Sequence, residues 1–150
     1  WSLLIGGIVI IIFEIFYKPK GIETEEMEAI TYPKALLIGV FQSIAVIPGV
    51  SRSAATIIGG LSIGLKRKTI VEFSFLLAVP TMLAATVLDL LKSANAFNSS
   101  DFIYLTVGFV VSFVTALIAI KFLLYFIKNH NFIPFAIYRI VLALLFLIVF

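Results

Sequence analysis

Apolar residues in this chain come in long blocks, without the strict alternation of a half-buried strand, and short polar clusters punctuate them. Residues 1–17 are apolar apart from Ser2 and Glu14. The break Lys18-Pro19-Lys20-Gly21 opens a polar loop, 18–34, that carries Glu23, Glu25, Glu26 and Glu28. Residues 35–65 hold two shorter apolar runs around a polar centre. Blocks 70–91, 102–127 and 134–150 are apolar again, separated by the Asn- and Ser-containing stretch 92–101 and by Lys128-Asn129-His130-Asn131. The pattern predicts helices at 1–17, 70–91, 102–127 and 134–150, with a helix-turn-helix unit over 35–65. Thr69-Ile70-Val71-Glu72 fits a capping box at the start of the 70–91 helix, with Glu72 in a local structural role, and Pro80 should kink that helix. Lys121 can snorkel toward the 128 end of its helix.

Composition turns these helices into membrane helices. With 62% hydrophobic and 13% charged residues and a mean hydropathy of +1.19, an ordinary soluble domain is excluded. The expected class is an all-α integral membrane protein. Absence of cysteine removes disulfides, thiolate metal sites and thiol nucleophiles. The net charge of +3 and pI near 9.3 report orientation in the bilayer, not nucleic-acid binding. The chain opens on Trp1 inside an apolar run with no charged leader, so it does not resemble a signal peptide and reads as a piece of a longer polypeptide.

The two halves of 35–65 are each about a dozen residues, short of the roughly 20 needed to cross a bilayer. If this unit dips in and returns, Lys18, Lys20, Lys34, Lys66, Arg67, Lys68 and Lys128 share one side, with Lys92 opposite. If it crosses, the same charges divide evenly. The lopsided division satisfies the positive-inside bias, which predicts a re-entrant hairpin entering from the cytoplasmic side with its tip in mid-membrane.

The tip is Pro48-Gly49-Val50-Ser51-Arg52-Ser53-Ala54-Ala55-Thr56. The Pro-Gly bend frees the first amides of a half-helix starting near Ser51, whose unpaired N–H groups and positive dipole end suit an anion. Arg52 adds a planar fork matched to two phosphate oxygens, and no acid within the hairpin offsets its charge. Spacings of three and four allow Arg52, Ser53 and Thr56 to share a helix face. Local roles compete with this reading. Ser51 can serve as the N-cap, Ser53 and Thr56 can bond backbone carbonyls, and Gln42 can either reach the site or tie helices together. Gly59, Gly60 and Gly64 suggest a close-packed face. Among the remaining polar residues, the glutamates of loop 18–34 read as a solvated acidic loop, because no His or Asp is interleaved. His130, the single histidine, lies in a turn far from the tip, and Glu14 and Arg139 are intramembrane charges for which mutual pairing is one option.

The run from Ala35-Leu36-Leu37-Ile38-Gly39-Val40-Phe41-Gln42 into this tip resembles the PGxSRSxxT signature of the bacterial undecaprenyl-diphosphate phosphatases, the bacitracin-resistance family. Glu72-Phe73-Ser74-Phe75-Leu76-Leu77-Ala78-Val79-Pro80 and Phe132-Ile133-Pro134-Phe135-Ala136-Ile137-Tyr138-Arg139 are similar to two further family stretches, so the resemblance covers essentially the whole chain as the C-terminal part of one polytopic membrane domain. It implies a multi-pass enzyme of the bacterial cytoplasmic (inner) membrane that converts undecaprenyl diphosphate to undecaprenyl phosphate and phosphate, recycling the lipid carrier for peptidoglycan synthesis. It further implies an inverted repeat with two re-entrant hairpins, a divalent cation such as magnesium, and a homodimer. Ser51 and Arg52 carry over as catalytic residues, and Ser53, Thr56, Gln42 and Gly49 as substrate-binding ones. The family's glutamate-rich motif and its histidine have no counterpart here, which implies that this piece alone is inactive and leaves the attacking group, hydroxyl or water, open. A polyprenyl-phosphate transporter or flippase is the alternative, since half-helices with exposed N-termini also occur in transporters. A non-catalytic scaffold, with Arg52 only pairing helices, is the third.

Overall fold

The computed structural model describes residues 1–18, 26–93 and 101–149, and these form helices joined by turns. Lys20, Glu23 and Glu25 of the polar loop, and residues 94–100, lie outside the described residues. The helices are α1 (Ser2–Phe16), α2 (Tyr32–Ser43), α3 (Arg52–Ser62), α4 (Arg67–Ser93), α5 (Asp101–Asn129) and α6 (Ile133–Val149). Two stretches, Arg67–Lys92 and Phe102–Ile127, are long and apolar enough to cross a membrane. Between α1 and α2 the chain makes a short 3-10 turn at Met27–Ala29, and α2 then starts at Tyr32, with Pro33 in its first turn, where a missing N–H costs nothing.

Helix α1 runs along α6, α2 packs on α3, α3 on α4, and α4 more lightly on α5. In lipid the hydrophobic effect cannot drive this association, so close van der Waals fit and interhelical hydrogen bonds must. Glycines supply the fit. A Cβ on Gly7 would lie 2.6 Å from Ile140 Cγ1, one on Gly59 2.6 Å from Phe41 Cβ, and one on Gly60 2.3 Å from Ile70 Cδ1. Ile70 is fully buried with Ile38, Leu61 and Leu65, so it cannot yield. Gly60→Ala is therefore expected to destabilise the protein by about 2 kcal/mol through overpacking, read as a lowered melting temperature in detergent. Gly64 has a different job from the packing role its spacing suggests. Its φ of +85° ends α3, with Leu65 N–H bonding Gly60 C=O at 3.0 Å and Gly64 N–H bonding Leu61 C=O at 3.1 Å. That is a Schellman termination, and it folds Leu65 back into the core.

Helix α4 begins at Arg67, earlier than the capping-box pattern predicts, and Glu72 pairs with Lys68 at 3.7 Å one turn away. Thr69 and Ile70 are buried within its first turn. Arg67 also makes the buried connection that holds the ends of α1, α4 and α6 together. Its Nη1 contacts Glu14 Oε1 at 2.5 Å, and its guanidinium lies over the rings of Tyr17 and Phe132, 5.8 and 5.0 Å from their centroids. Glu14 therefore pairs with Arg67 and not with Arg139. The reason is register: α1 and α6 run antiparallel, with Gly6 beside Arg139 and Glu14 beside Phe132, so the two charges lie at different heights.

The α2–α3 hairpin is short. At 1.5 Å per residue its helices are about 18 and 16 Å long. Its open end meets Phe13, Tyr17 and Phe132 around the Ile38 and Leu61 core. Its turn lies beside Ser2 and Arg139. From Arg139, α6 continues to Val149.

Candidate functional site: a polar-ended apolar cavity

A cavity of about 320 Å³ lies among α1, α3, α4, α5 and α6. Its walls are mostly apolar, with Ile10, Phe13, Ile57, Leu61, Phe75 and Phe135 among them, and its polar lining includes Ser51, Ser53, Glu14 and Arg139. The polar groups separate into two ends. Glu14 lies at the Arg67 end, whereas Ser51, Ser53 and Arg139 gather at the hairpin turn.

The turn end is built from backbone geometry. Gly49 has φ +86°, a conformation strained for any residue with a Cβ, and a Cβ there would also sit 2.8 Å from Ser2 Cβ. With this bend in place, Ser51 caps α3. Its Oγ accepts from Ala54 N–H at 3.2 Å, and its carbonyl accepts from Ala55 N–H at 3.0 Å. The amides of Arg52 and Ser53 are left to face outward from the helix start. Ser53 Oγ lies 3.1 Å from Ser51 Oγ, so the two hydroxyls form a pair on the cavity wall.

Arg139 comes to the same place from α6. Its Nη2 donates to Gly49 C=O at 2.8 Å, while its Nε is buried with no partner among the described residues. A buried unpaired donor is costly, and a guanidinium in an apolar surround calls for an anion. Gly6 makes the room, since a Cβ there would lie 2.9 Å from Arg139 Nη2. Arg139 is a candidate site residue that the hairpin motif does not contain. Its signal was present as a single charge inside an apolar helix, but nothing local connects it to the hairpin 90 positions away.

Arg52 and Thr56 point elsewhere. The i, i+4 pair shares a face, as its spacing implies, yet that face looks toward α2 and α4 and away from Ser51 and Ser53. Arg52 Nη1 donates to Thr81 Oγ1 at 2.5 Å, and no carboxylate pairs with Arg52 among the described residues. Thr56 is buried, and its hydroxyl lies 3.2 Å from Gln42 Oε1 and 2.9 Å from the Arg52 carbonyl. Gln42 and Thr56 thus tie the two arms of the hairpin and hold the first turn of α3 against α2. The single-face convergence of Arg52, Ser53 and Thr56 does not occur, because Ser53 turns with Ile57 toward the cavity while Thr56 turns with Arg52 away from it.

His130 stacks on Phe126 with ring centroids 4.3 Å apart, at the Arg67 end. No group of three or more metal-binding side chains occurs among the described residues, and Glu14, the acid that lines the cavity, pairs with Arg67 through Oε1 while its Oε2 is buried without a partner among the described residues. These residues therefore do not fit a divalent cation by themselves.

Long apolar helices, glycine-mediated packing and two charged side chains lining a mostly apolar cavity define a helical membrane protein. The chain belongs to the family described as bacitracin resistance protein BacA, whose model matches residues 1–145. It is similar to proteins named undecaprenyl-diphosphatase. The one from a Sulfurihydrogenibium species is 55% identical over 146 residues, covering 97% of this chain and 58% of that protein. The relative from Persephonella marina is 54% identical with the same coverage, and that from Wolinella succinogenes is 50% identical over 98% of this chain and 57% of the relative. The chain thus spans somewhat over half the length of these relatives.

Proposed function

We propose that this chain supplies one half of an enzyme that hydrolyses undecaprenyl diphosphate to undecaprenyl phosphate and phosphate, regenerating the lipid carrier for peptidoglycan synthesis. One observation carries the reading: two hydroxyls, a helix start and a guanidinium with an unpaired donor meet at one end of a cavity whose walls are otherwise apolar. A ligand with a multiply charged phosphate head and a hydrocarbon tail matches both parts.

In this reading Ser51, Ser53, Arg139 and the open amides of α3 hold the diphosphate, while the apolar walls take the first part of the prenyl chain. Arg52 leaves the first turn of α3 on the other side, toward Thr81 and outside the cavity lining; in this reading its guanidinium reaches the head group when the lipid binds and stabilises charge that shifts as the phosphoryl group transfers. Gln42, Thr56 and Gly49 shape the hairpin that presents these groups. The base for the attacking oxygen would come from outside the described residues, as would the ligands of a divalent cation, which the family resemblance makes part of the proposal. The chain alone would then be inactive.

Geometry also supports a re-entrant hairpin. Both feet of the α2–α3 unit stand at the level of Tyr17, and its turn stops beside Arg139, with α6 continuing about 15 Å further at 1.5 Å per residue. Lys18, Lys34, Lys66, Arg67 and Lys68 belong to the end with the feet, and Lys92 to the far end of α4. The proposed setting is a multi-pass protein of the bacterial cytoplasmic (inner) membrane, with the inverted repeat completed by the rest of the full-length protein and with a homodimer as the assembly.

The test is phosphate release by full-length protein in detergent with a prenyl diphosphate and magnesium. Multiple turnovers are expected. Saturable binding of the lipid without release would reject hydrolysis in favour of transport.

A further inference from the structure

Among the described residues Arg52 bonds to an unusual partner for a guanidinium in an apolar helix packing, a neutral hydroxyl. Thr81 stands 29 positions away on α4, directly after Pro80. Its own proton is already engaged, because Oγ1 lies 2.9 Å from Leu77 C=O and 3.0 Å from Ala78 C=O. A hydroxyl has one proton and two lone pairs, so a threonine donating back into its own helix presents a lone pair outward, and a guanidinium has only donors to offer. The polarity of the contact is thereby fixed: Thr81 accepts and Arg52 gives.

The choice of a hydroxyl has a chemical consequence. A carboxylate at position 81 would hold the guanidinium more firmly but would cancel its charge and compete with an incoming phosphate. A hydroxyl orients the fork and leaves the full positive charge available. The carbonyl of Arg52 accepts from the Thr56 hydroxyl one turn further along α3, and that hydroxyl also lies 3.2 Å from Gln42 Oε1 on α2. The side chain of Arg52 thus bonds to α4, while the turn that carries it is tied to α2 through Thr56.

We propose that Thr81 is a positioning residue, which holds the Arg52 guanidinium beside the start of α3 without neutralising it, so that the arginine meets the diphosphate already oriented. This rests on the phosphatase reading. Thr81 touches no substrate in this account and acts only through Arg52.

The experiment uses full-length protein in detergent, with release of phosphate from farnesyl diphosphate as the readout. Thr81→Val keeps the shape of the side chain and removes the acceptor. It is expected to lower kcat/KM about tenfold, the scale of a lost hydrogen bond to a charged group. Thr81→Ser keeps the acceptor and should stay within about twofold of the unmodified protein. In an Arg52→Ala background, Thr81→Val should change the residual rate by less than about twofold, because the group it orients is gone. The proposal is overturned if Thr81→Val matches the unmodified protein, if Thr81→Ser loses as much as Thr81→Val, or if Thr81→Val costs the same factor in both backgrounds. Failure of the unmodified protein to release phosphate would instead strike the phosphatase reading itself.

Discussion

Arg52→Ala in the full-length protein is expected to lower phosphate release about a thousandfold while leaving the protein folded and monodisperse in detergent. The size follows from the setting. Arg52 carries a full charge at the start of a half-helix, has no carboxylate partner among the described residues, and is held by one neutral hydroxyl. In the proposed reaction its charge would serve the transferring phosphoryl group in an environment of low dielectric, where a preorganised donor is worth far more than in water. Structure should suffer little, because the side chain gives up one hydrogen bond and its backbone carbonyl still accepts from Thr56. A loss of less than about tenfold would mean that the arginine only joins α3 to α4.

Glu14→Ala carries the largest expected cost in stability, about 3 kcal/mol, because removing one member of a buried ion pair strands the other. The Glu14 side chain is 4% exposed and that of Arg67 25% exposed, and the arginine is enclosed by Tyr17 and Phe132, so solvent cannot fully replace the lost carboxylate. Thermal or denaturant unfolding in detergent reads this directly. Replacing both partners together, as Glu14→Leu with Arg67→Met, should recover most of the loss, since an apolar pair of similar volume avoids the desolvation of two charges. Equal unfolding of the unmodified protein and Glu14→Ala would show that the pair contributes nothing to stability.

Much of the fold is legible in the amino-acid sequence, because membrane helices announce themselves by length and apolarity alone. The capping chemistry at Ser51 and the bend at Pro48-Gly49 are local and readable for the same reason. Through-space register is not. Nothing near Glu14 points to Arg67, 53 positions on, and nothing near Arg139 points to the Gly49 carbonyl. The glycines that permit these approaches, Gly6 beside the Arg139 fork and Gly7 against Ile140, look like ordinary members of an apolar run until the opposing helix is in place. Helical periodicity groups Arg52 with Thr56 correctly, but it cannot say which face the neighbours will cover. For that reason the proposed phosphate site takes in Arg139, which arrives from α6, in place of Thr56, which ties α3 to α2.

The most direct test is a structure of the full-length protein with a non-hydrolysable prenyl methylenediphosphonate bound. The expected result has the diphosphonate oxygens within hydrogen-bonding distance of the Ser51 and Ser53 hydroxyls and the Arg139 guanidinium, with the prenyl chain running along Ile57, Leu61 and Phe135. A diphosphonate found beside Glu14 and Arg67, or outside the cavity altogether, would contradict the account.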